Sequence, residues 1–262
     1  MELKSNKFTS VRYHNIFDFK LTKEELLKWQ YKNVEEKVSG TKNKNRLQRE
    51  KYSQAKVVIA KNASKLISKI AMVKFIGITG ALAMNNANKD GDIDLMIITK
   101  NNTLWLTRLC VYCILHPTSY ILRRPRVIDE RDSLCLNMWF DENDLVWDKK
   151  DRNIYTAHEI AQIVPLINKD NVYEKFLYLN KWILLYWPNS VKIKDLGSKM
   201  YEAKKNPISY ILHLTSRLLE NVTYRLQYLY MKSKISREIV TPTRAIFHPN
   251  DWGKVIIKKL SS

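Results

Sequence analysis

Apolar and polar positions change their spacing several times along the chain, and each change marks an element. Residues 8–32 carry two short runs at helical spacing; Thr22 can cap the second, Glu25 falls at the capping-box position, and Leu26 and Trp29 share its apolar face. The polar, Gly-containing stretch 39–45 reads as a connection. A long helix is expected over 46–70, with Val57, Val58, Ala60, Leu66, Ile67 and Ile70 at its apolar positions. Two apolar runs follow, 73–79 and 93–99, each short and continuous as a buried strand requires. Between them lie Gly80 as a turn, a short helix from Ala81, and the polar loop 85–91. A helix through about Leu122 and a third strand over 134–140 come next. From Thr156 the pattern turns helical, over 156–165, 171–187 and 207–232, with Pro207 at a favourable first-turn position. Residues 241–253 read as turn-rich, ahead of a final basic helix.

This order predicts an α/β (α+β) protein in three parts. Residues 1–45 form a short N-terminal helical segment resembling a helix-turn-helix, 46–150 a core around a small mixed sheet, and 151–262 a helical C-terminal domain. The chain has 262 residues and 45% apolar content, enough for a substantial core. No internal repeat is visible. The most apolar stretches are broken by Arg108 and His116, and by Asn180 and Lys181, so neither reaches the roughly 18 apolar residues of a membrane span. The polar opening lacks a secretory apolar region, and a cytoplasmic protein without a membrane partner is the expectation.

Charge narrows the class of partner. The net charge is +19, with 18 basic against 7 acidic residues in 1–75 and 12 against 4 in 199–262. Such a field favours polyanions. The excess is mostly lysine and asparagine is abundant, a pattern AT-rich coding produces by itself, so charge favours nucleic acid without proving it. Three cysteines leave no disulfide framework. Cys110 and Cys113 form a C-x-x-C, but they sit in an apolar helical stretch with no second Cys/His pair at zinc spacing, and packed helix thiols are the expectation.

The chemistry gathers at the start of the second strand. Asp92 and Asp94 are two apart, so in a strand they project to the same side while Ile93 and Leu95 pack behind them. Carboxylates on a buried strand need a cation against them. Two hard oxygen ligands at one strand end suit Mg²⁺, which takes one or two carboxylates plus phosphates and water. Upstream, Thr79, Gly80 and Ala81 open a short helix whose first N–H groups can face an anion. Alone, Lys-Asp-Gly-Asp would read as an ordinary turn; the Gly80 turn, the strand order and the run 95–98 favour the metal site.

Gly80 followed by Asp92-Ile-Asp94-Leu, after a helix and a strand, resembles the nucleotidyltransferase signature of the DNA polymerase β superfamily. The resemblance is specific over 70–99. It extends more loosely through phrases such as 104–108, 155–159 and 247–249, which look like uncharacterised bacterial and archaeal nucleotidyltransferase-domain proteins. It implies a polymerase β-type core and a metal-dependent enzyme that uses Mg²⁺ or Mn²⁺ and an NTP. Such an enzyme transfers NMP to an acceptor hydroxyl, with RNA preferred on charge and a tRNA 3′ end among the candidates. Asp92 and Asp94 would bind metal, and Thr79, Gly80 and Ala81 the nucleotide. Two departures from the family pattern stand out. Ala81 replaces the usual serine after the glycine. The third carboxylate, expected on the neighbouring strand, aligns with Asn137; Asp141, Asp144, Asp129 and Asp132 are its other candidates.

Other residues have weaker readings. Arg123, Arg124 and Arg126 form a basic loop suited to nucleic-acid phosphates or to a solvated helix end. Arg108 calls for an acidic partner or a surface. Tyr178 and Trp182 fit core packing before base stacking. His158 belongs to a helix face, His248 to a turn, and 224–234 to a packed helix or a partner surface. The competing functions are a degenerate nucleotidyltransferase fold that only binds nucleic acid or protein, an antitoxin-type enzyme that modifies a protein, and a DNA-binding regulator using 8–32.

Overall fold

The computed structural model describes residues 9–32, 36–38, 40–123, 130–193, 209–247 and 251–261, with the backbone alone over 209–216. Pro207, His248, Arg124, Arg126 and Asp129 lie outside the described residues.

One six-stranded mixed sheet organises the fold, in the order β4-β1-β2-β3-β6-β5. These strands are β1 (Val73–Ile78), β2 (Ile93–Thr99), β3 (Leu134–Asp141), β4 (Val164–Asn168), β5 (Ile239–Val240) and β6 (Arg244–Ile246). The helices are α1 (Ser10–Asn15), α2 (Lys23–Lys28), α3 (Lys44–Ile67), α4 (Gly80–Ala83), α5 (Leu104–Leu115), α6 (Ile154–Ala161), α7 (Val172–Leu179), α8 (Ser209–Lys232) and α9 (Trp252–Ser261). Among the described strands only β2 and β3 pair in parallel, and α5 makes the crossover that parallel neighbours require.

Strand alternation divides the core into two layers. On β2, Met96 and Ile98 join Phe75, Phe140 and Ile246 in a cluster with Tyr13, Trp29, Phe176 and Trp187. Ile93, Leu95 and Ile97 face the opposite cluster, with Ala60, Ile67, Trp105 and Trp139. Within residues 9–32 the two expected helices form, and so does the Thr22–Glu25 capping box. Tyr13 and Trp29 are buried in the first layer, so this segment is packed against the sheet. Arg46 of α3 is almost fully buried and reaches both Glu25 and the Lys20 carbonyl, tying α2 to the long helix.

Residues 151–262, expected to be helical, supply three strands to this same sheet. The helix expected over 156–165 ends at Ala161, and Val164–Asn168 runs as a strand. Pro165 explains the difference: proline disfavours helix at the preceding residue and is tolerated on an edge strand such as β4. The expected turn-rich 241–253 contains β6, paired to β3, and Arg244 inside it bonds Asp144 Oδ1 at 2.6 Å and the Val146 carbonyl at 2.7 Å. The helix expected to reach Leu122 stops at Leu115, two residues before Pro117. The helix expected over 171–187 breaks at fully buried Asn180 and continues as a 3-10 turn, Lys181–Leu185. Asn180 accepts the Trp147 N–H at 2.8 Å and donates to the Leu145 carbonyl at 2.8 Å.

Cys113 is exposed and Cys110 half-buried, which corrects the expectation of two packed thiols. Arg108 has found an amide and aromatic rings in place of an acid. It donates to Gln227 at 2.5 Å and lies over Trp105, Tyr112 and Phe247. Tyr224 packs on Trp105 and Trp182 is buried in the first layer. No helix among the described residues is long and apolar enough to cross a membrane.

His158 is buried against a second histidine. His14 Nδ1 donates to the Ser10 carbonyl at 2.8 Å, so its Nε2 accepts from His158 Nε2, 3.1 Å away. Burial lowers the His14 pKa to about 4 and that of His158 well below its usual value. Both rings are therefore neutral in the fold. Because the folded pKa values are depressed, their stability contribution is present above pH 6.5 and is lost as pH falls from there toward 4. In an NMR titration neither ring should protonate between pH 8 and 5; a midpoint near 6.5 for either would show that the pair is not buried in this way.

Candidate functional site

The site is built at the head of β2. Asp92 and Asp94 share the face of Met96 and Ile98, beneath the layer that includes α6. Asp94 pairs in register with Cys135 on β3. Beyond this point β3 carries an extra residue, since Met96 pairs with Met138. The irregularity breaks the alternation: Asn137 reaches Asp94 while the next residue, Met138, packs in the same layer. Both Cys135 and Asn137 thereby meet the carboxylate.

Distances define a compact cluster. Asn137 Nδ2 donates to Asp94 Oδ1 at 2.6 Å. One ligand atom each from Asp92, Asp94 and Cys135 lies within 4.8 Å of the others. Arg123 Nη1 stands 3.0 Å from Asp92 Oδ2 and 3.4 Å from Cys135 Sγ, and Arg123 also bonds Glu130 at 2.6 Å. The contact with Asp92 is electrostatic and not a hydrogen bond, since Asp92 Oδ2 has no donor pointing at it. Asn137 Oδ1 is likewise buried without a hydrogen-bond partner, in a side chain only 5% exposed.

The Gly80 turn closes the other side. Its φ is +61°, and a Cβ there would collide with Asp94 Oδ2. Thr79 N–H donates to the Asp94 carbonyl at 3.0 Å, which fastens the turn to β2. Gly80 and Ala81 begin α4, whose first N–H groups have no intrahelical acceptor. Thr79 is buried, and its side chain does not cap the helix.

Electrostatics follow from crowding acids under a core layer. Burial, then the charge of Asp92, holds the Asp94 pKa well above the ordinary carboxylate range. Burial and the two aspartates push the Cys135 thiol up as well. Glu159, on α6, is raised to about 8 by burial and by Asp94, and accepts from Gln162 at 2.8 Å. Burial raises neighbouring Tyr155, helped by Glu159 and Asp94.

Asp92, Asp94, Asn137, Thr79 and Gly80 thus come together, while Ala81 follows the turn as an exposed residue. Arg123 joins them, bound to carboxylates, where the sequence left a phosphate-binding loop or a solvated helix end as its readings. The other third-carboxylate candidates in the described chain are engaged elsewhere. Asp141 is buried and faces the Thr103 N–H at the start of α5, Asp144 pairs with Arg244, and Asp132 pairs with Lys56 at 2.6 Å. Sequence reading missed Cys135 and Glu159. Strand alternation with Asn137 could have suggested Cys135; no local pattern pointed to Glu159, which arrives from another layer. Comparison of the chain with protein-family models, curated proteins and solved structures found no match.

Asp92, Asp94 and Cys135 each offer one atom that could hold a divalent cation. Gly80 should be the position least tolerant of change. Gly80→Ala should lower stability by about 1–2 kcal/mol through the left-handed backbone alone, and more if Asp94 must move. Ala81→Ser should leave stability unchanged. Urea unfolding of the two variants checks both; a Gly80→Ala protein as stable as the parent would remove the close contact.

Proposed function

We propose that the protein is a divalent-cation-dependent nucleotidyltransferase of the polymerase β type, moving NMP from an NTP to an acceptor hydroxyl, with RNA the preferred acceptor. The observation that carries this reading is the contact between the Gly80 turn and Asp94, with Asp92 on the same strand face. A cation held by Asp92 and Asp94, Mg²⁺ or Mn²⁺ by the family resemblance, would supply charge neutralisation for the transferring phosphate.

The remaining steps belong to the chain's own groups. Gly80, lacking a side chain, lets a phosphate approach the strand end, and the first amides of α4 face it. Arg123, 40% exposed at the rim, can turn from Asp92 to an entering polyphosphate. The net charge of +19 supports a polyanionic acceptor over a small molecule or an antitoxin-type protein acceptor.

One observation favours a second reading, a degenerate fold that binds without catalysis. Arg123 already balances Asp92, and an amide meets Asp94 where the family has a third carboxylate. Labelled NTPs, incubated with the protein, Mg²⁺ or Mn²⁺ and an RNA with a free 3′ hydroxyl, should label the RNA. Asp92→Asn and Asp94→Asn should each reduce that labelling to background. No transfer to RNA or protein, with calorimetry still detecting NTP binding, favours the degenerate reading; labelling that survives both substitutions sinks the site assignment.

A further inference from the structure

The carboxylate pair has a third neighbour whose chemistry differs from that of a Mg²⁺ site. Cys135 is a free, buried thiol, and its Sγ completes the triangle of atoms within 4.8 Å formed with Asp92 and Asp94. It does so because it stands in register beside Asp94 on the parallel neighbouring strand. An independent feature lies beside the cluster: Asn137, 95% buried, holds Asp94 with its amide nitrogen and leaves its carbonyl oxygen without a partner. Two carboxylates and one sulfur make a mixed donor set. Mg²⁺ requires oxygen ligands in a near-ideal octahedron, whereas thiolate selects zinc, cobalt and their heavier relatives.

We propose that Asp92, Asp94 and Cys135 bind a thiophilic divalent cation of the zinc, cobalt or cadmium class in preference to Mg²⁺. The assignment rests on the metal-site half of the function above and not on nucleotide transfer. Forming the metal–sulfur bond breaks the S–H bond, and the thiol proton leaves to solvent. Three anionic ligands then face a 2+ ion, and Arg123 supplies the remaining positive charge. In the structure Arg123 Nη1 stands between the ligands, 3.0 Å from Asp92 Oδ2 and 3.4 Å from Cys135 Sγ. Its Nε and Nη2 already bond Glu130, at 3.0 and 2.6 Å. The guanidinium can therefore yield the centre to a metal while staying paired at the rim.

Cadmium titration of the full chain tests this, followed by thiolate-to-metal charge-transfer absorption and by calorimetry against Mg²⁺. Cys110→Ser and Cys113→Ser are built into the parent to silence the two thiols of α5. One cadmium per chain should bind with a thiolate band, about a hundredfold or more tighter than Mg²⁺. Cys135→Ser should abolish the band and weaken cadmium by about tenfold or more, consistent with loss of a thiolate ligand. Cys135→Asp should reverse the preference toward Mg²⁺, which separates a ligand role from mere loss of folding. A missing band, a band that survives in Cys135→Ser, or equal competition by Mg²⁺ overturns the proposal. Cadmium binding without nucleotidyl transfer leaves it standing and removes the enzymatic reading; transfer with Mg²⁺ and no cadmium band does the reverse.

Discussion

Negative charge at the head of β2 is the constraint around which the neighbouring structure is arranged. Asp92 and Asp94 point to one face of a strand whose next four residues are fully buried. Desolvation makes two ions there costly, and the fold meets that cost with a few short contacts. Arg123 faces Asp92, Asn137 donates to Asp94, and the Thr79 amide holds the Asp94 backbone. Burial and mutual repulsion still hold the carboxyl pKa values of Asp94 and Glu159 above the ordinary range. Asn137 Oδ1 is left buried and without a hydrogen-bond partner beside this crowding.

The loops on either side of β2 are held from outside the sheet. Lys56 of α3 is almost fully buried and donates to the Gly91 carbonyl at 2.7 Å as well as to Asp132. It fixes the approach to Asp92 and the approach to β3 with one ammonium. Ser53 and Arg49, on the same helix, bond the Ala87 amide and Asn86. The far end of β2 is organised in a similar way. Glu220 of α8 caps α5 by accepting the Trp105 and Leu106 amides at 2.7 and 2.9 Å. Two long helices, distant in sequence, therefore brace the two ends of one strand.

The capping box at Thr22, the long α3, the β1–turn–β2 unit and the same-face aspartates were all legible locally. Each depends on spacing within a few residues, where period and capping chemistry act directly. Legibility failed where a distant partner decided the outcome. Asn180 interrupts a helical apolar run because its amide satisfies the backbone of Leu145 and Trp147. Arg244 sits in a strand because Asp144 and Val146 receive its guanidinium. The His14–His158 contact joins residues 144 apart, and neither ring signals it alone.

By itself the sequence determined that two carboxylates would share a strand face behind a glycine turn, because side-chain alternation and the needs of a left-handed turn are properties of the chain. Tertiary structure decided what meets them. The extra residue in β3 brings Cys135 and Asn137 together at Asp94, the connection after α5 returns Arg123 to Asp92, and packing of α6 delivers Glu159. Strand register and layer packing are set by non-local pairing, so the side chains around the aspartates are written in the fold and not in the motif.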